Sequence, residues 1–500
     1  MKIWVLNPPF FDHFSRPQRS PAVTKSGTIY YPIWLASCTG VLEQAGHEVW
    51  LTDAPARGYD LKTVLKMAEE VNPGLIVLDT STPSINNDLE VCARIRQVLP
   101  HAFLILVGTH VSALAEETLK RCPAVNAVAR REYEITIREL AAYLSECPPG
   151  GWDKQGLSRI QGLSFQVQKN QATTLPEVIH NPDRPFIEDL DSLPWISPVY
   201  QRHLCLTDYF NPNARFPMVT LMTSRGCPFR CRFCVYPQTL TGRRFRFRSV
   251  EGVVRELQYI KENLPFVKAV FFEDDTLSAS KKRCMALCRA MIQAGIHIPW
   301  TTNSRIDPDL ETLTLMKQAG CQSLCVGFES GSQRILDAMG KGIQKEKMFQ
   351  FMENAGKAGI LVHGCFMVGF PGETRFEIEQ TLGLAIDLKP DTAQFYPVMV
   401  YPGTEAYEEY REKNWITARD YDQWLTPQGL HNCVVRNESL TSEELVRICD
   451  DARRRFYLRL GYIAHKLGQI IVHPSQAVRT LKAFKTFFKH LLFYSHPDRG

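Results

Sequence analysis

The sequence has no run of eighteen consecutive apolar residues, and this absence excludes a transmembrane helix of ordinary length. It also lacks a signal-peptide pattern at its start, and its fifteen cysteines stand mostly singly, so we expect a reducing compartment and no disulfide framework. The sequence has no large excess of charge of one sign, because 58 Lys and Arg against 53 Asp and Glu give the 500 residues a net charge of only +5. With 44% apolar and 22% charged residues, the composition indicates an ordinary globular protein of two or three domains.

The excess of positive charge lies in the tail, where residues 451–500 contain ten Lys and Arg against two Asp, and the rest of the chain has a small negative net charge. Within this stretch, apolar residues of 477–493 recur at helical spacing opposite four Lys and Arg. A basic amphipathic helix of this kind can lie on an anionic membrane surface. A packed terminal helix with a solvated basic face has the same pattern, so both interpretations stay open.

Three cysteines within eight residues are the strongest chemical signal. Cys227, Cys231 and Cys234 follow a short apolar run with the spacing C-x-x-x-C-x-x-C. Zinc would require a fourth Cys or His at tetrahedral spacing, and none lies close in the sequence. Unrelated core thiols remain an alternative, although a proline and three arginines in this run are unusual for a core strand. Three thiolates suit an iron–sulfur cluster in which one iron is free to bind another ligand.

Residues 1–147 alternate between short apolar runs and helix-length amphipathic stretches. The runs lie at 2–6, 48–52, 75–78, 103–107 and 125–128. This alternation predicts an α/β domain with a doubly wound, Rossmann-like parallel sheet and helices on both faces. Ligands of such sheets bind at the carboxyl ends of the strands. The loops expected there, at 7–9, 79–84 and 108–110, are small and polar.

The remaining chain divides into three regions. Residues 148–215 are rich in Pro, Gly, Asp and Asn, and they predict a connector with a short hairpin near 162–177. Residues 216–410 resume the β-α alternation with six strand candidates, and a chemically distinctive motif follows most of them. Residues 411–500 have the pattern of a helical, basic C-terminal region.

Four motifs follow the cysteine loop in order along the second α/β region. They are the carboxylates Glu273-Asp274-Asp275, the Asn303-Ser304-Arg305 turn, the run 327–332 and the glycine-containing run 364–374. Carboxylates at strand ends suit a cationic amine, and a guanidinium can fork onto a carboxylate. At least one of the three adjacent acids is expected to be structural, as an acid at a helix start.

The cysteine run, with Phe233 directly before its last cysteine, resembles that of the radical S-adenosylmethionine (radical SAM) superfamily. The resemblance implies a partial (β/α)6 barrel and a 4Fe–4S cluster on Cys227, Cys231 and Cys234, with SAM chelated at the free iron. It implies an enzyme that reductively cleaves SAM to a 5'-deoxyadenosyl radical. The residues that it implies for SAM binding are Phe233, Glu273, Asp275, Arg305, Glu329, Ser330 and Gly369.

The first domain resembles the cobalamin-binding (B12-binding) domain that precedes the barrel in one branch of this superfamily. The residues that carry this resemblance, and that it implies for cobalamin binding, are Asp79, Ser81, Thr82, Gly108, Thr109, His110 and Glu132. Thr109 and Arg131 stand where glycine is common in that branch. The chain also lacks the Asp-x-His-x-x-Gly motif, so we expect no histidine ligand below the cobalt.

Further runs resemble radical SAM proteins of hopanoid biosynthesis that form cyclitol ethers; they lie at 31–36, 234–239, 242–249 and 401–404. The resemblance implies modification of an unactivated C–H position by C-methylation or by ring rearrangement or cyclisation, with a lipid or hopanoid headgroup as one substrate class. Alternatives are a tRNA- or peptide-modifying methyltransferase and a non-catalytic cobalamin or redox sensor. No catalytic residue is assigned.

The implied partners are a small-molecule or lipid substrate and a reductant such as flavodoxin or ferredoxin, whereas nucleic acid is not favoured. The expected location is cytoplasmic, with peripheral contact to the inner face of the membrane through the basic tail as an option.

Other cysteines predict buried thiols rather than a second cluster. Cys284 and Cys288, and likewise Cys321 and Cys325, are four residues apart, which on a helix places both on one face. Free cysteine is among the most buried residue types. Cys365, in a barrel strand, is a candidate for a thiol near the substrate, with core packing as the alternative.

Overall fold

The computed structural model describes residues 1–167 and 177–472. The first domain has five parallel strands: β1 (Lys2–Asn7), β2 (Glu48–Asp53), β3 (Leu75–Thr80), β4 (Phe103–Gly108) and β5 (Ala127–Ala129). Its helices are α1 (Ile33–Gln44), α2 (Ala54–Arg57), α3 (Leu61–Val71), α4 (Ile85–Val98), α5 (Thr109–Ala113), α6 (Ala115–Arg121) and α7 (Glu134–Glu146). The strand order is β2-β1-β3-β4-β5. The predicted doubly wound sheet is confirmed.

Alternation along the strands separates two apolar cores. Ile3 and Val5 of β1 enter the core beneath α1 and α7, whereas Trp4 and Leu6 enter the core beneath α3, α4 and α6. Successive side chains of a strand point to opposite faces, so a run of apolar residues is what a sheet covered on both faces requires.

The connector extends this sheet instead of only linking two domains. It contains α8 (Lys154–Leu157), β6 (Leu163–Val167), β7 (Glu177–His180) and α9 (Ser197–His203). Strand β6 pairs antiparallel with β5, and β7 pairs antiparallel with β6, so the sheet has seven strands. The expected hairpin is present in its described part, and residues 168–176 lie outside the described residues.

The second domain is an open barrel of six parallel strands. In sheet order these are β8 (Met218–Leu221), β11 (Ala269–Phe272), β12 (Trp300–Ser304), β13 (Cys321–Glu329), β14 (Leu361–Val368) and β15 (Thr392–Pro397). A small two-stranded ribbon, β9 (Ser224–Arg225) and β10 (Arg246–Phe247), flanks the cysteine loop. The helices are α10 (Val235–Thr239), α11 (Val250–Asn263), α12 (Lys281–Gln293), α13 (Leu310–Gln318), α14 (Gln333–Ala338), α15 (Lys345–Ala358) and α16 (Arg375–Leu388). All six strand candidates are confirmed.

The C-terminal region differs from the expectation of a helical stretch beginning at residue 411. Helices α17 (Glu405–Glu412), α18 (Ser442–Tyr457) and α19 (Leu460–Val472) are separated by an irregular segment, 413–441, with one short helical turn at Tyr421–Trp424. A tight turn explains part of the difference, because Gly429 has a positive φ of 74° and donates its N–H to the Thr426 carbonyl at 2.8 Å. The predicted basic amphipathic helix at 477–493 lies outside the described residues.

Helix α18 covers the outer edge of the open barrel. The Tyr457 hydroxyl contacts both backbone polar groups of Ala393 in β15, at 2.9 and 2.7 Å. Arg453 donates to the carbonyl of Phe395 at 3.0 Å. These side chains satisfy backbone groups that an uncovered edge strand would leave open. No helix in the described ranges is long and apolar enough to cross a bilayer.

The two domains share one continuous core and are joined by buried ion pairs. The core beneath α1 and α7 runs into the interior of the barrel. Arg225 of β9 pairs with Glu134 of α7 at 2.6 Å, and both side chains are almost fully buried. Arg246 of β10 pairs with Glu132 at 2.7 Å. The carboxyl ends of both sheets are therefore held close together.

Candidate functional site

The three predicted cluster cysteines lie in one loop between β9 and α10. Cys227, Cys231 and Cys234 are half-buried free thiols, and burial raises the pKa of Cys227 and Cys234. Across residues 1–167 and 177–472, no three His, Cys, Asp or Glu side chains converge closely enough to hold a single metal ion. A cubane cluster spreads its thiolate ligands over separate irons, so this open loop suits a cluster better than one zinc ion.

Backbone contacts hold the cysteine loop. The Cys227 N–H donates to the Gly242 carbonyl at 3.2 Å, and the Arg232 N–H donates to the Met339 carbonyl at 3.0 Å. Gly226, just before the first cysteine, has a φ of +85°, and a Cβ there would lie 2.1 Å from a carbonyl oxygen of the neighbouring chain segment. Only glycine fits this position. The polypeptide itself therefore sets the shape of the loop.

The three carboxylates after β11 have separate roles. Asp274 accepts 2.6 Å hydrogen bonds from the N–H and the hydroxyl of Thr223, which fixes the start of the cysteine loop. Asp275 accepts from the Gly226 N–H at 3.1 Å. Glu273 has a buried Oε2 without a hydrogen-bond partner in the described chain, and burial raises the pKa of its carboxyl. Asp274 is thus structural, but it fixes Thr223 and Ser224 and does not start a helix as expected, whereas Glu273 and Asp275 lie beside the cysteine loop.

At the end of β13, Glu329 is held in a buried ion pair. Its Oε1 lies 2.8 Å from the Nζ of Lys341, and its Oε2 accepts from the Tyr396 hydroxyl at 3.3 Å. The backbone of Glu329 has a φ of +64°, which is uncommon outside glycine and aims the side chain inward. Sequence reasoning missed Lys341. Its position between two glycines of positive φ was a usable signal.

Arg305, at the end of β12, braces the cysteine loop. Its guanidinium carbon lies 3.6 Å from the ring centre of Phe229, which is part of that loop. It also donates to Asp307 at 2.9 Å and to the Gly342 carbonyl at 3.3 Å. Arg305 therefore links the cysteine loop to the segment that carries Lys341, and its contact with a ligand carboxylate stays a prediction.

The other predicted SAM-binding residues lie at different depths. Phe233 is half-buried in the cysteine loop and packs against the core. Ser330 is fully buried, and its hydroxyl lies 3.2 Å from that of Thr381 in α16. Gly369 has a φ of +92°, and a Cβ there would lie 2.8 Å from Leu445 in α18. The structure thus places Phe233 beside the cysteines, and Ser330 and Gly369 against the surrounding helices.

At the carboxyl edge of the first sheet, β3 and β4 bring several predicted cobalamin-binding residues together. The Nδ1 of His110 lies 3.1 Å from the Thr82 hydroxyl. Gly108 has a φ of +115°, and a Cβ there would lie 2.9 Å from the Asp79 carboxylate. Burial raises the pKa of Asp79 to about 7 and lowers the pKa of His110 to about 3. The imidazole is consequently neutral at physiological pH.

The remaining three residues of this set are less alike. The Ser81 hydroxyl bonds to that of Ser84 at 2.8 Å, in the same loop as Thr82. Thr109 is half-buried and begins α5. The Glu132 carboxylate is occupied by the guanidinium of Arg246, at 2.7 and 2.8 Å. Glu132 therefore joins the two domains, and no interdomain role for it was expected from the sequence.

Residues 19–141 match the B12 binding domain, and residues 221–385 match the Radical SAM superfamily. A methyltransferase of Pyrococcus horikoshii, itself uncharacterized, is 31% identical over 444 residues, which are 89% of this chain and 91% of that protein. The chain belongs to the radical SAM superfamily. It is a cobalamin-dependent radical SAM enzyme whose cofactors are a 4Fe–4S cluster, SAM and cobalamin.

Other relatives of this radical SAM enzyme have diverse substrates. An anaerobic magnesium-protoporphyrin IX monomethyl ester cyclase of Cereibacter sphaeroides is 25% identical and covers 86% of this chain and 67% of its own length. A hopanoid C-3 methylase of Methylococcus capsulatus is 22% identical, and the match covers 78% of this chain and 70% of the methylase. The solved structure of OxsB, with aqua-cobalamin and SAM bound, superposes on this chain with a TM-score of 0.69 at 15% identity. The superposition covers 100% of this chain and 73% of the OxsB chain. That likeness shows the fold.

Fourteen buried side-chain polar atoms of the described residues have no hydrogen-bond partner, and four of them bear on the two predicted cofactor edges of this radical SAM enzyme. They are Trp34 Nε1, His110 Nε2, Tyr133 Oη and Glu273 Oε2. Leaving such a group unpaired costs about 1–3 kcal/mol, so each of the four is suited to a ligand group that the polypeptide does not itself supply. Neutral groups on the first domain fit the amide-rich rim of a corrin, and the carboxylate fits the SAM amine. The residues present therefore fit both cofactors.

Five further cysteines lie in helices and strands of the barrel, and the absence of a second cluster stays a prediction. Cys284 and Cys288 are buried in α12, as expected, and Cys321 is buried in β13. Cys325 and Cys365 are half-buried in the barrel strands β13 and β14, and none of these five thiols is in a disulfide. A substrate contact of Cys365 stays a prediction.

Proposed function

We propose that this radical SAM enzyme removes a hydrogen atom from an unactivated carbon of its substrate, and that C-methylation or ring rearrangement follows. When bound, the reduced cluster with SAM supplies the radical that abstracts hydrogen, and cobalamin supplies a methyl group or electrons. The chain's own part is to hold both cofactors at one enclosed place and to keep water out. The substrate would lie between the strand edges of the two domains.

The closeness of the two strand edges carries this proposal. Gly403, in the loop after β15, has a φ of +86°, and a Cβ there would lie 2.8 Å from both Ala113 of α5 and Thr239 of α10. Helix α5 follows the predicted cobalamin edge, and α10 follows the cysteine loop. Groups held on these two edges would face each other across a short distance, which is what transfer between two cofactors requires.

Within the proposed site, buried charges would orient the SAM molecule. We expect Glu273 and Asp275 to contact its amine and Arg305 to contact its carboxylate, because a guanidinium can donate two parallel hydrogen bonds to a carboxylate. The Lys341–Glu329 pair, closed by Tyr396, would present a fixed pattern of donors and acceptors near the ribose. A buried ion pair keeps such groups in one geometry, because removing one of its partners destabilises the protein by about 3–5 kcal/mol.

Product analysis of the anaerobically reconstituted protein tests the proposal. With SAM, cobalamin and a reductant, we expect 5'-deoxyadenosine; methyl transfer would add S-adenosylhomocysteine, since SAM is the methyl source, whereas rearrangement would not. The Cys231→Ala variant is the control that lacks a cluster ligand. If the loaded protein binds its cofactors and yet forms no deoxyadenosine with any candidate substrate, it is a sensor and the proposal is wrong.

A lipid-borne substrate is a second candidate, which exposed apolar side chains favour. Leu460, at the start of α19, is 85% exposed, and Leu458 is 50% exposed. The hopanoid C-3 methylase relative supports the same class. Co-sedimentation of the full chain with vesicles of anionic and of neutral lipid tests it, with Leu460→Ser as the variant expected to bind less. Equal recovery in the supernatant with and without both vesicles would contradict peripheral contact.

A further inference from the structure

A five-residue segment between β1 and α1 contacts both proposed cofactor edges. We call residues 16–20 the strap. Arg16 is anchored in the first domain, the carbonyl of Pro17 accepts from the Tyr236 hydroxyl at 2.6 Å, and Ser20 lies 2.9 Å from the Tyr401 hydroxyl. Tyr236 and Tyr401 belong to the barrel domain. Because one short segment bonds to both domains, a shift of either edge displaces the other through the strap.

At its first end, the strap holds the loop that follows β3. The Arg16 guanidinium is fully buried; it donates to Asp88 at 2.6 Å and to the Ser84 hydroxyl at 3.2 Å. Ser84 in turn bonds to Ser81, one of the predicted cobalamin contacts. The position of the strap is thus linked through two hydrogen bonds to the proposed cobalamin edge.

At its other end, the strap reaches the proposed SAM carboxylates. Arg19 donates to Glu273 Oε1 at 2.6 Å and to Asp275 Oδ1 at 3.2 Å, and its guanidinium lies 5.2 Å from the ring centre of Tyr236. Asp275 also accepts from the Gly226 N–H, directly before the first cluster cysteine. Arg19 is therefore a residue of the cobalamin-binding part of the chain that is bonded to the barrel's proposed amine site.

The charges of this group favour a further cation. Two carboxylates and one guanidinium carry a net charge of −1, and Glu273 Oε2 is buried without a hydrogen-bond partner in the described part of the chain. An ammonium group could bond to this free oxygen without displacing Arg19, and it would fix the Glu273 side chain from its second side. A fixed Glu273 holds Arg19, and with it the strap, more firmly.

We infer that the strap couples the two cofactor sites, so that SAM and cobalamin each strengthen the binding of the other, with Arg19 as the positioning residue that carries the coupling. The inference rests on the proposed function, since it requires that SAM's amine binds at Glu273 and Asp275. Linkage makes the effect reciprocal: the factor by which SAM tightens cobalamin binding equals the factor by which cobalamin tightens SAM binding.

Binding titrations without turnover test the inference. Cluster-loaded protein is titrated with hydroxocobalamin with and without saturating SAM, and then with SAM with and without cobalamin, with no reductant present. In the wild type we expect each ligand to lower the Kd of the other about five-fold or more. In Arg19→Gln we expect the mutual shift to disappear and the Kd of cobalamin alone to change little. The Kd of SAM alone is expected to change, because Arg19 is bonded to Glu273 and Asp275. In Arg19→Lys we expect part of the shift to return.

A matched control separates coupling from general damage. Arg244→Gln removes another guanidinium close to the cysteine loop, but its side chain is 73% exposed, so the wild-type shift should persist. A wild type that binds both ligands without any mutual shift would overturn the coupling, and so would Arg19→Gln retaining the full shift. A wild type that binds only one of the two ligands would instead refute the proposed function, and with it the inference.

Discussion

The two cofactor edges differ in how they handle charge. On the edge of the first sheet, His110 and Asp79 carry little charge, because burial keeps His110 uncharged and raises the pKa of Asp79 to about 7, and the buried Arg16–Asp88 pair beside them is neutral as a whole. The edge of the barrel is ionic, with Lys341 paired to Glu329 and Arg19 paired to Glu273. A neutral edge suits a large ligand recognised by amides and shape, whereas an ionic edge suits a small zwitterion. The difference indicates that each edge is built for its own cofactor.

The largest expected effect separates the two edges completely. Cys231→Ala removes one of the three predicted cluster ligands, so we expect iron content and deoxyadenosine formation to fall to background, while cobalamin binding persists because the predicted cobalamin edge is untouched. Iron analysis, product analysis and a cobalamin titration measure the three quantities. Cys205→Ala, at an exposed cysteine, is the matched control and should behave as wild type. Retained turnover in Cys231→Ala would refute the cluster assignment.

Breaking the ionic edge should cost stability. Lys341→Ala leaves the buried Glu329 carboxylate without its cation, and we expect the free energy of unfolding to fall by about 3 kcal/mol, measured by urea denaturation. The double variant Lys341→Met, Glu329→Gln should recover part of the loss, because no buried charge then stays unpaired. Lys357→Ala, which removes an exposed ion pair, should cost less than about 1 kcal/mol. Equal losses for Lys341 and Lys357 would contradict the comparison.

The raised pKa of Asp79 on the edge of the first sheet should make the stability of the protein depend on pH. The pKa of Asp79 is higher in the folded state, about 7, than in an unfolded chain, so between pH 4 and 7 only the folded state keeps its proton. Its contribution to stability therefore falls as the pH rises through this range and levels off above it. Asp79→Asn abolishes this contribution. Between pH 4 and 7, the free energy of unfolding of the variant, measured by urea denaturation relative to wild type, should rise by up to about 1.4 kcal/mol per pH unit. A pH-independent difference between the two proteins would show that Asp79 is ionised throughout.

The smallest expected effect concerns one hydrogen bond of the neutral edge. His110→Phe preserves the ring but removes the contact with Thr82 and the unpartnered Nε2, so we expect cobalamin to bind about five-fold more weakly, a loss of about 1 kcal/mol. Equilibrium titration of the variant measures this loss. His101→Phe, at an exposed position, should leave the Kd unchanged. An unchanged Kd in His110→Phe would place the corrin elsewhere.

The elements that were predicted well from the sequence are those that depend on a short stretch of residues, such as a strand or a single loop. Apolar runs such as 103–107 become strands buried on both faces, and the cysteine spacing marks its own loop. Contacts made over long sequence distances were not predictable. Arg19 and Glu273 are separated by 254 residues, and the loop that carries Arg19 has no periodicity to interpret. Lys341 likewise reaches Glu329 only because β13 and the segment after α14 fold back on each other.

The cover that α18 provides for β15 has a consequence for assembly. A complete eight-stranded barrel protects its strands by closing on itself, whereas this six-stranded barrel ends in a free strand that could template pairing with another copy. Tyr457 and Arg453 bond to backbone groups of that strand from positions 64 and 58 residues further along the chain. Helix α18 thus blocks the backbone groups through which β15 could pair with another copy, and we expect a shortened chain that ends before Ser442 to expose this edge and to self-associate.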